Sequence, residues 1–363
     1  MTPAVVTRLV QRGHRLLIES GAGSRAGFSD QEYADAGAEL STDPLSAGAE
    51  LTLVVGPPAT DLVAGVPEGS VLCGFLDPFR AGDLMSAIAA RRITAFAMEA
   101  IPRTTLAQAM DALSSQATAA GYAAVLEAAY SSPRIFPMLT TAAGTLPPAK
   151  VLVLGAGVAG LHAIATARRL GAVVSAYDIR PAVREQIESL GARAIDAPMD
   201  ESAATASGYA KSVGDETQRR QMDALAPHVA EADVVITTAQ VPGQPAPLLV
   251  SREMVESMKP GSVIVDIAAR AGGNCELTRP GETVVHDGVT IVGPIDLPSR
   301  VALDASSMYA RNLANFIERI ADPEGGLKLD FEDPIVSETC VSHDGRITHP
   351  VVRKMHGLEE EDS

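Results

Sequence analysis

Three glycines in the stretch VLVLGAGVAGL, Gly155, Gly157 and Gly160, have the spacing G-x-G-x-x-G between a run that reads as a strand and a pattern that reads as a helix. This arrangement suits a pyrophosphate. The first glycine permits a tight turn, the second lets backbone N–H groups approach the phosphates at the helix N-terminus, and the third lets helix and strand pack closely. Asp178 ends the next apolar run, at about the twenty-residue spacing where such folds place a carboxylate on the adenosine ribose. Its charge opposes a 2′-phosphate and favours NAD over NADP. Arg180 and Arg184 lie close by and weaken that discrimination. Val158, Ile179 and Arg180 complete the cofactor candidates here.

A second polar group precedes it. In IPRTTLAQAMDALSSQATAAGY, Arg103, Gln108, Asp111, Ser114 and Ser115 stand at the head of a segment made mostly of small and apolar residues. Read as one helix over 104–130, the segment stacks Gln108, Asp111 and Ser115 on one face. Two readings are open. Thr105 and Gln108 fit a capping box, with Asp111 suiting the helix dipole; or the cluster holds a ligand. A third stretch, TTAQVPGQPAP, follows a predicted strand, and ligands meet such sheets at strand ends. Thr238, Ala239 and Gln240 either line a nicotinamide ribose or belong to a proline-stiffened loop. The seven histidines show no metal spacing, His162 reads as a packed helix residue, and no Ser/His/Asp set assembles.

The elements that must carry these residues alternate. Runs at 14–20, 51–55, 71–75 and 94–99 read as strands with helices between them, which implies a parallel sheet. RIFPMLTTAAGTLPPAK reads as a joint. From Lys150 a second unit repeats the alternation, with strands at 232–239 and 261–269 and a hairpin, TVVHDGVTIVG, turning on Asp287-Gly288. The polar stretch DAPMDESAATASGYAKSVGDETQ reads as a long functional loop. The fold expected is α/β, two Rossmann-like doubly wound parallel-sheet domains. One is built from residues 1–116 plus 305–363, the other, NAD(H)-binding, from 117–304.

Composition limits the partners. A net charge of −16 argues against nucleic acid and anionic membrane surfaces. The absence of Trp and the scarcity of aromatic residues argue against stacking platforms for single strands. Cys73, Cys275 and Cys340 are scattered and odd in number, which fits a reducing compartment. No signal peptide is recognised. The longest apolar run, about 151–167, is too short and too glycine-rich for a membrane span.

Taken together, VLVLGAGVAGLHAIATARRLGA, GYAKSVGDE, TTAQVPGQPAP, MKPGSVIVDIAARAGGNCE and DLPSRVALDASSMYARNL resemble the NAD(H)-binding domain of the proton-translocating nicotinamide nucleotide transhydrogenases, from Thr2 to about Pro350. The resemblance implies that Arg103, Gln108, Asp111 and Ser114 hold the nicotinamide end of NAD(H), with Gln108 reaching towards a second nucleotide. Gln108, Arg103 and Asp111 are the catalytic candidates. Gly208 and Tyr209 match a mobile loop that closes over the nucleotide, although Val213 stands where a methionine is usual. It also implies NADP(H) on a partner beta subunit, separate membrane-spanning subunits and a homodimer. The chain would then be cytoplasmic, at the inner face of a membrane through its partners.

Alanine dehydrogenases share the two-domain fold and are the competing reading. They use a His where Phe75 stands, an Asp just before a Gly-Gly pair where Arg270 stands, and a lysine near LVVGPP, which has none. Amino-acid oxidation needs a proton-moving group and a carboxylate-binding cation; direct hydride transfer between two nicotinamides needs only proximity and orientation. A non-catalytic NAD-sensing module would share the glycine motif and Asp178 without needing Gln108. Family members also open with a strand and a basic segment ahead of the residues matching TPAVVTRLV; either that strand is absent here, leaving the first sheet one short, or the start of the sequence was placed late.

Overall fold

Residues 1–197, 215–241 and 243–358 are described in the computed structural model of the chain. They form two compact units, Met1–Gln116 with Ala302–Ser363, and Ala117–Val301. Strands are numbered along the chain.

In the first unit, β3 (Leu51–Val54), β4 (Val71–Gly74) and β5 (Thr94–Ala97) are parallel neighbours. The helix Gly82–Ala90 crosses between the last two. β4 and β5 are buried along their whole length, because continuous apolar runs such as Val71-Leu72-Cys73 have core on both faces. The sheet departs from a purely parallel one. β15 (Cys340–His343) runs antiparallel to β5, and β16 (Arg346–Ile347) antiparallel to β15, in the order β16-β15-β5-β4-β3. The expected strand at 14–20 is β1 (Leu17–Glu19). It pairs instead with a strand the sequence did not signal, β2 (Glu39–Ser41), in a separate two-stranded sheet. The helix Ala302–Ile320 buries Tyr309, Leu313, Phe316 and Ile320, with Phe96 and Phe316 meeting edge to face at 5.1 Å.

The second unit is doubly wound. β8 (Lys150–Leu154), β9 (Val173–Tyr177), β10 (Arg193–Ala194), β11 (Val234–Thr237), β12 (Val263–Asp266), β13 (Thr283–His286) and β14 (Val289–Val292) lie in the order β10-β9-β8-β11-β12-β14-β13. All neighbours are parallel except β13 and β14. These two form the hairpin expected on Asp287 and Gly288, both with positive φ (47° and 78°), the pairing a tight hairpin turn requires. The order reverses at β8, so the crevice between the carboxyl ends of β8 and β11 is the switch point where doubly wound sheets take ligands. The expected joint contains a second hairpin, β6 (Leu139–Thr141) with β7 (Gly144–Leu146), exposed at every residue. The helix Asp215–Glu231 occupies the end of what reads in sequence as a long loop.

Candidate functional site

At the switch point each motif glycine has a distinct surrounding. Gly155 follows β8 with φ +93°, and its N–H donates to the Tyr177 carbonyl at 2.8 Å. A Cβ there would lie 2.7 Å from Thr238 Oγ1 and 2.9 Å from the Ala239 nitrogen. A Cβ on Gly160 would stand 1.9 Å from the Gly155 carbonyl oxygen, closer than any real contact allows, so helix and turn can touch only without a side chain. Gly157 is the N-cap of the helix Val158–Arg169 and offers its first N–H groups no side-chain acceptor. A Cβ there would meet nothing within 4 Å. The turn is therefore packed on the protein side and open over the helix N-terminus, with unsatisfied donors and the positive end of the dipole. A pyrophosphate fits that cradle.

Asp178 follows β9 and is almost wholly buried, yet both its oxygens are engaged. Oδ1 accepts the Arg180 N–H at 2.9 Å and Arg180 Nε at 2.8 Å; Oδ2 accepts the Ala156 N–H at 2.8 Å and an Arg180 terminal nitrogen at 2.9 Å. A small hollow beside the pair is walled by Ile187, Ala194 and Ile195. All three also belong to the hydrophobic core of the unit. Ile179 is half-buried and packs against the cluster that includes Tyr177 and Ile195.

After β11, Thr238 Oγ1 donates to the Gly155 carbonyl at 2.9 Å, while Ala239 is half-buried and Gln240 exposed. The loop is held from behind. Asn274 Nδ2 donates to the Ala239 and Pro247 carbonyls at 2.8 and 2.7 Å. Asp266, fully buried, takes the backbone N–H groups of Ala268, Asn274 and Cys275 and the Thr278 hydroxyl. Asp266 and Asn274 are positioning residues that no motif announced. Asn274 Oδ1 and Thr237 Oγ1 are buried without a hydrogen-bond partner. Orphaned polar atoms are uncommon, and these two sit by the carboxyl ends of β11 and β12, where a bound ligand would lie.

In the first unit the polar cluster is arranged differently from the single helix expected. Thr105–Met110 is a 3-10 helix whose N-cap, Thr104, makes no side-chain cap. Asp111 breaks out with ψ 88°, and the α-helix Ala112–Ser131 starts afresh. Gln108, Asp111 and Ser115 are thus not stacked on one helical face, and the Thr105–Gln108 capping box is absent. The cap belongs to Asp111, which accepts the Ser114 N–H at 2.9 Å and the Ser114 hydroxyl at 2.6 Å. The turn is pinned by the helix Ala302–Ile320, where Asn312 and Asn315 both donate to the Ala109 carbonyl at 2.9 Å and Ser115 donates to Asn312 Oδ1 at 2.7 Å. Arg103 and Gln108 are exposed, Asp111 and Ser114 half-buried. Gly208, Tyr209 and Val213 lie outside the described residues.

The strand ends of the first unit are filled from within. Phe75 stacks on Tyr309 with ring centroids 4.8 Å apart and planes 8° from parallel. Tyr309 Oη accepts the Phe75 N–H and donates to the Val54 carbonyl, both at 3.0 Å. Glu99 accepts the Leu76 and Asp77 N–H groups at 3.2 and 2.7 Å; burial, opposed by these bonds, pushes its carboxyl up to about 7. Arg270 is exposed. His162, read in the sequence as a packed helix residue, is instead exposed on the helix Val158–Arg169; partial burial, with Arg169 beside it, lowers its basicity. The three cysteines are buried free thiols, and burial raises each of them, Cys275 to about 11. They are poor nucleophiles.

Comparison with known proteins bears on the site. The model for the alanine dehydrogenase/PNT N-terminal domain matches residues 1–120, and that for the C-terminal domain of the same family matches residues 124–350. An NAD(P) transhydrogenase subunit alpha chain of Rhodospirillum rubrum is 47% identical over 362 residues, covering 97% of this chain and 94% of its own. An alanine dehydrogenase of Halomonas elongata is 32% identical over 99% of this chain and 93% of its own. Among solved structures, a transhydrogenase from Sinorhizobium meliloti superposes with a TM-score of 0.86 at 46% identity, over 95% of this chain and 94% of that one.

Proposed function

The chain belongs to the alanine dehydrogenase/PNT family, and from that premise we propose that it is the NAD(H)-binding alpha component of an NAD(P) transhydrogenase. The observation that carries the reading is the pairing of an open phosphate cradle with filled strand ends. The Gly155–Gly160 turn leaves uncapped helix N–H donors and open space over Gly157, which a pyrophosphate needs. The first unit has an aromatic stack where amino-acid oxidation would need an acid–base group.

NAD(H) would supply the hydride. The chain's own residues bind and orient. The N–H groups after Gly157 take the pyrophosphate and Asp178 the adenosine ribose. Thr238, Ala239 and Gln240 approach the nicotinamide ribose. Arg103, Gln108, Asp111 and Ser114 hold the nicotinamide, with Gln108 turned towards an NADP(H) carried by the beta subunit. Gly208 and Tyr209 close over the nucleotide. Nothing here needs a proton moved at the reacting carbon, so proximity and orientation do the work. Hydride transfer would be coupled to proton movement in separate membrane-spanning subunits, since no helix among the described residues is long and apolar enough to cross a membrane. The chain would be cytoplasmic, held at the membrane's inner face by those subunits, and a homodimer.

The test is single-turnover reduction of an NADP analogue by NADH with the partner subunit added. Transfer should need both chains. The purified chain alone should not reduce NAD with alanine; turnover of alanine, or of pyruvate plus ammonium, would restore the dehydrogenase reading.

A further inference from the structure

We propose that Arg180 is a latent 2′-phosphate site that Asp178 holds shut, so that nucleotide choice rests on the pair and not on the carboxylate's charge alone. The inference deepens the NAD(H) reading and rests on it.

A carboxylate offers about four lone-pair directions, and Asp178 has four donors on it, three of them from Arg180 and one from Ala156. The guanidinium lies side-on to the carboxylate, the geometry that makes such pairs strong and well oriented. The pair is mostly buried, with 17% and 7% of the two side chains exposed, so little solvent screens it. A ribose hydroxyl can bind Asp178 only by replacing a donor already there, and the side-chain bonds of Arg180 are the ones that can yield without moving the main chain.

A 2′-phosphate meets a different balance. While Arg180 is locked on Asp178, the pair is close to neutral, and the phosphate finds neither an open cation nor a simple like charge. Once the carboxylate is neutralised, its hold on the guanidinium weakens, and a planar fork of that kind is what phosphate recognition uses. Arg184 lines the same hollow and is likewise held by carboxylates, Asp196 at 2.6 Å and Glu188 at 3.1 Å. The rim thus carries two guanidinium groups, each matched by acidic side chains. Removing the Asp178 charge takes these five groups from one net negative charge to zero, so the rim no longer repels a phosphate.

The experiment measures NADH, NADPH and 2′-AMP binding by calorimetry for the wild type, Asp178→Asn, Arg180→Ala and Asp178→Asn/Arg180→Ala. Asparagine keeps an acceptor for the Ala156 N–H, so the glycine turn is preserved; circular dichroism and melting check the fold. Asp178→Asn should bind NADPH and 2′-AMP at least tenfold tighter than the wild type, with a steeper loss on adding salt. The double variant should lose that gain. A gain that persists without Arg180 would make the carboxylate's own repulsion the determinant and overturn the proposal, as would a folded Asp178→Asn with no gain. A wild type that binds no NADH would sink the nucleotide-site reading itself, and this inference with it.

Discussion

Asp111 and Gln108 stand three residues apart and answer to different forces. Asp111 ties down the Ser114 N–H and hydroxyl at the start of a twenty-residue helix, so Asp111→Ala should cost about 1 kcal/mol of stability, the scale of an N-cap. Gln108 is exposed in the 3-10 turn and caps nothing there, so Gln108→Asn should leave stability within about 0.5 kcal/mol. If it orients a nicotinamide, hydride transfer at saturating NADH falls tenfold or more, since about 1.4 kcal/mol in the transition state suffices. Arg103→Ala should weaken NADH binding as well. Wild-type transfer by Gln108→Asn would remove Gln108 from the site and favour a sensing module. Glu99 makes a separate prediction. Burial raises its carboxyl from 4.5 to about 7, so between those values the folded chain binds more protons than the unfolded one. Its contribution to stability is full below pH 4.5 and lost as pH rises through 7. Glu99→Gln should therefore gain on the wild type in Tm as pH goes from about 5 to 8; a constant gap would show that Glu99 is already charged at the lower pH.

Among elements, the glycine turn separates packing from binding. Gly160→Ala places a methyl 1.9 Å from a backbone oxygen. Backbone cannot yield as a flexible side chain does, so unfolding measurements should find a loss of at least the usual overpacking cost, about 1–3 kcal/mol. Gly157→Ala meets open space and should melt near the wild type while binding NADH at least tenfold more weakly; unchanged binding would mean that no pyrophosphate lies over Gly157. This turn was legible because its pattern is local: a strand, three spaced glycines and a helix. The β13–β14 hairpin was legible for the same reason, through Asp287-Gly288. Elements fixed by distant contacts were not. The break at Asp111 reads as continuous helix in a segment of Ala, Leu and Met, and it is stabilised by Asn312 and Asn315, two hundred residues away. β15 finds its antiparallel place beside β5 through tertiary pairing. Asp266 and Asn274 organise the loop after β11 through hydrogen bonds that no spacing encodes. The helix Asp215–Glu231 was hidden by its polar start and by the proline within it, Pro227.

At the scale of the whole molecule, net charge and one exposed element pull in opposite directions. Two copies at −16 each repel, so association must come from an apolar, uncharged surface. The segment Leu139–Leu146 is LTTAAGTL, without a charged residue, and its two strands form a sheet of their own. Met138 is 63% exposed and Leu146 51% exposed, with Ile135 and Leu139 also open. An isolated two-stranded hairpin is marginal in water, and its free edges invite pairing. If the chain pairs with a second copy, as proposed, a copy covering those edges and side chains would supply what the hairpin lacks within its own unit. Sedimentation at neutral pH should then give twice the mass of one chain. Leu139→Asp/Leu146→Asp should give one, because each new carboxylate adds repulsion where apolar contact is lost. Added salt should strengthen the wild-type dimer by screening the like charges, whose reach at 0.1 M is about 10 Å. NADH binding by the single chain should survive the double substitution, since the glycine turn and Asp178 lie on other elements. A wild type that sediments as one chain at all salt concentrations, or a double variant that stays paired, would remove the hairpin from the interface.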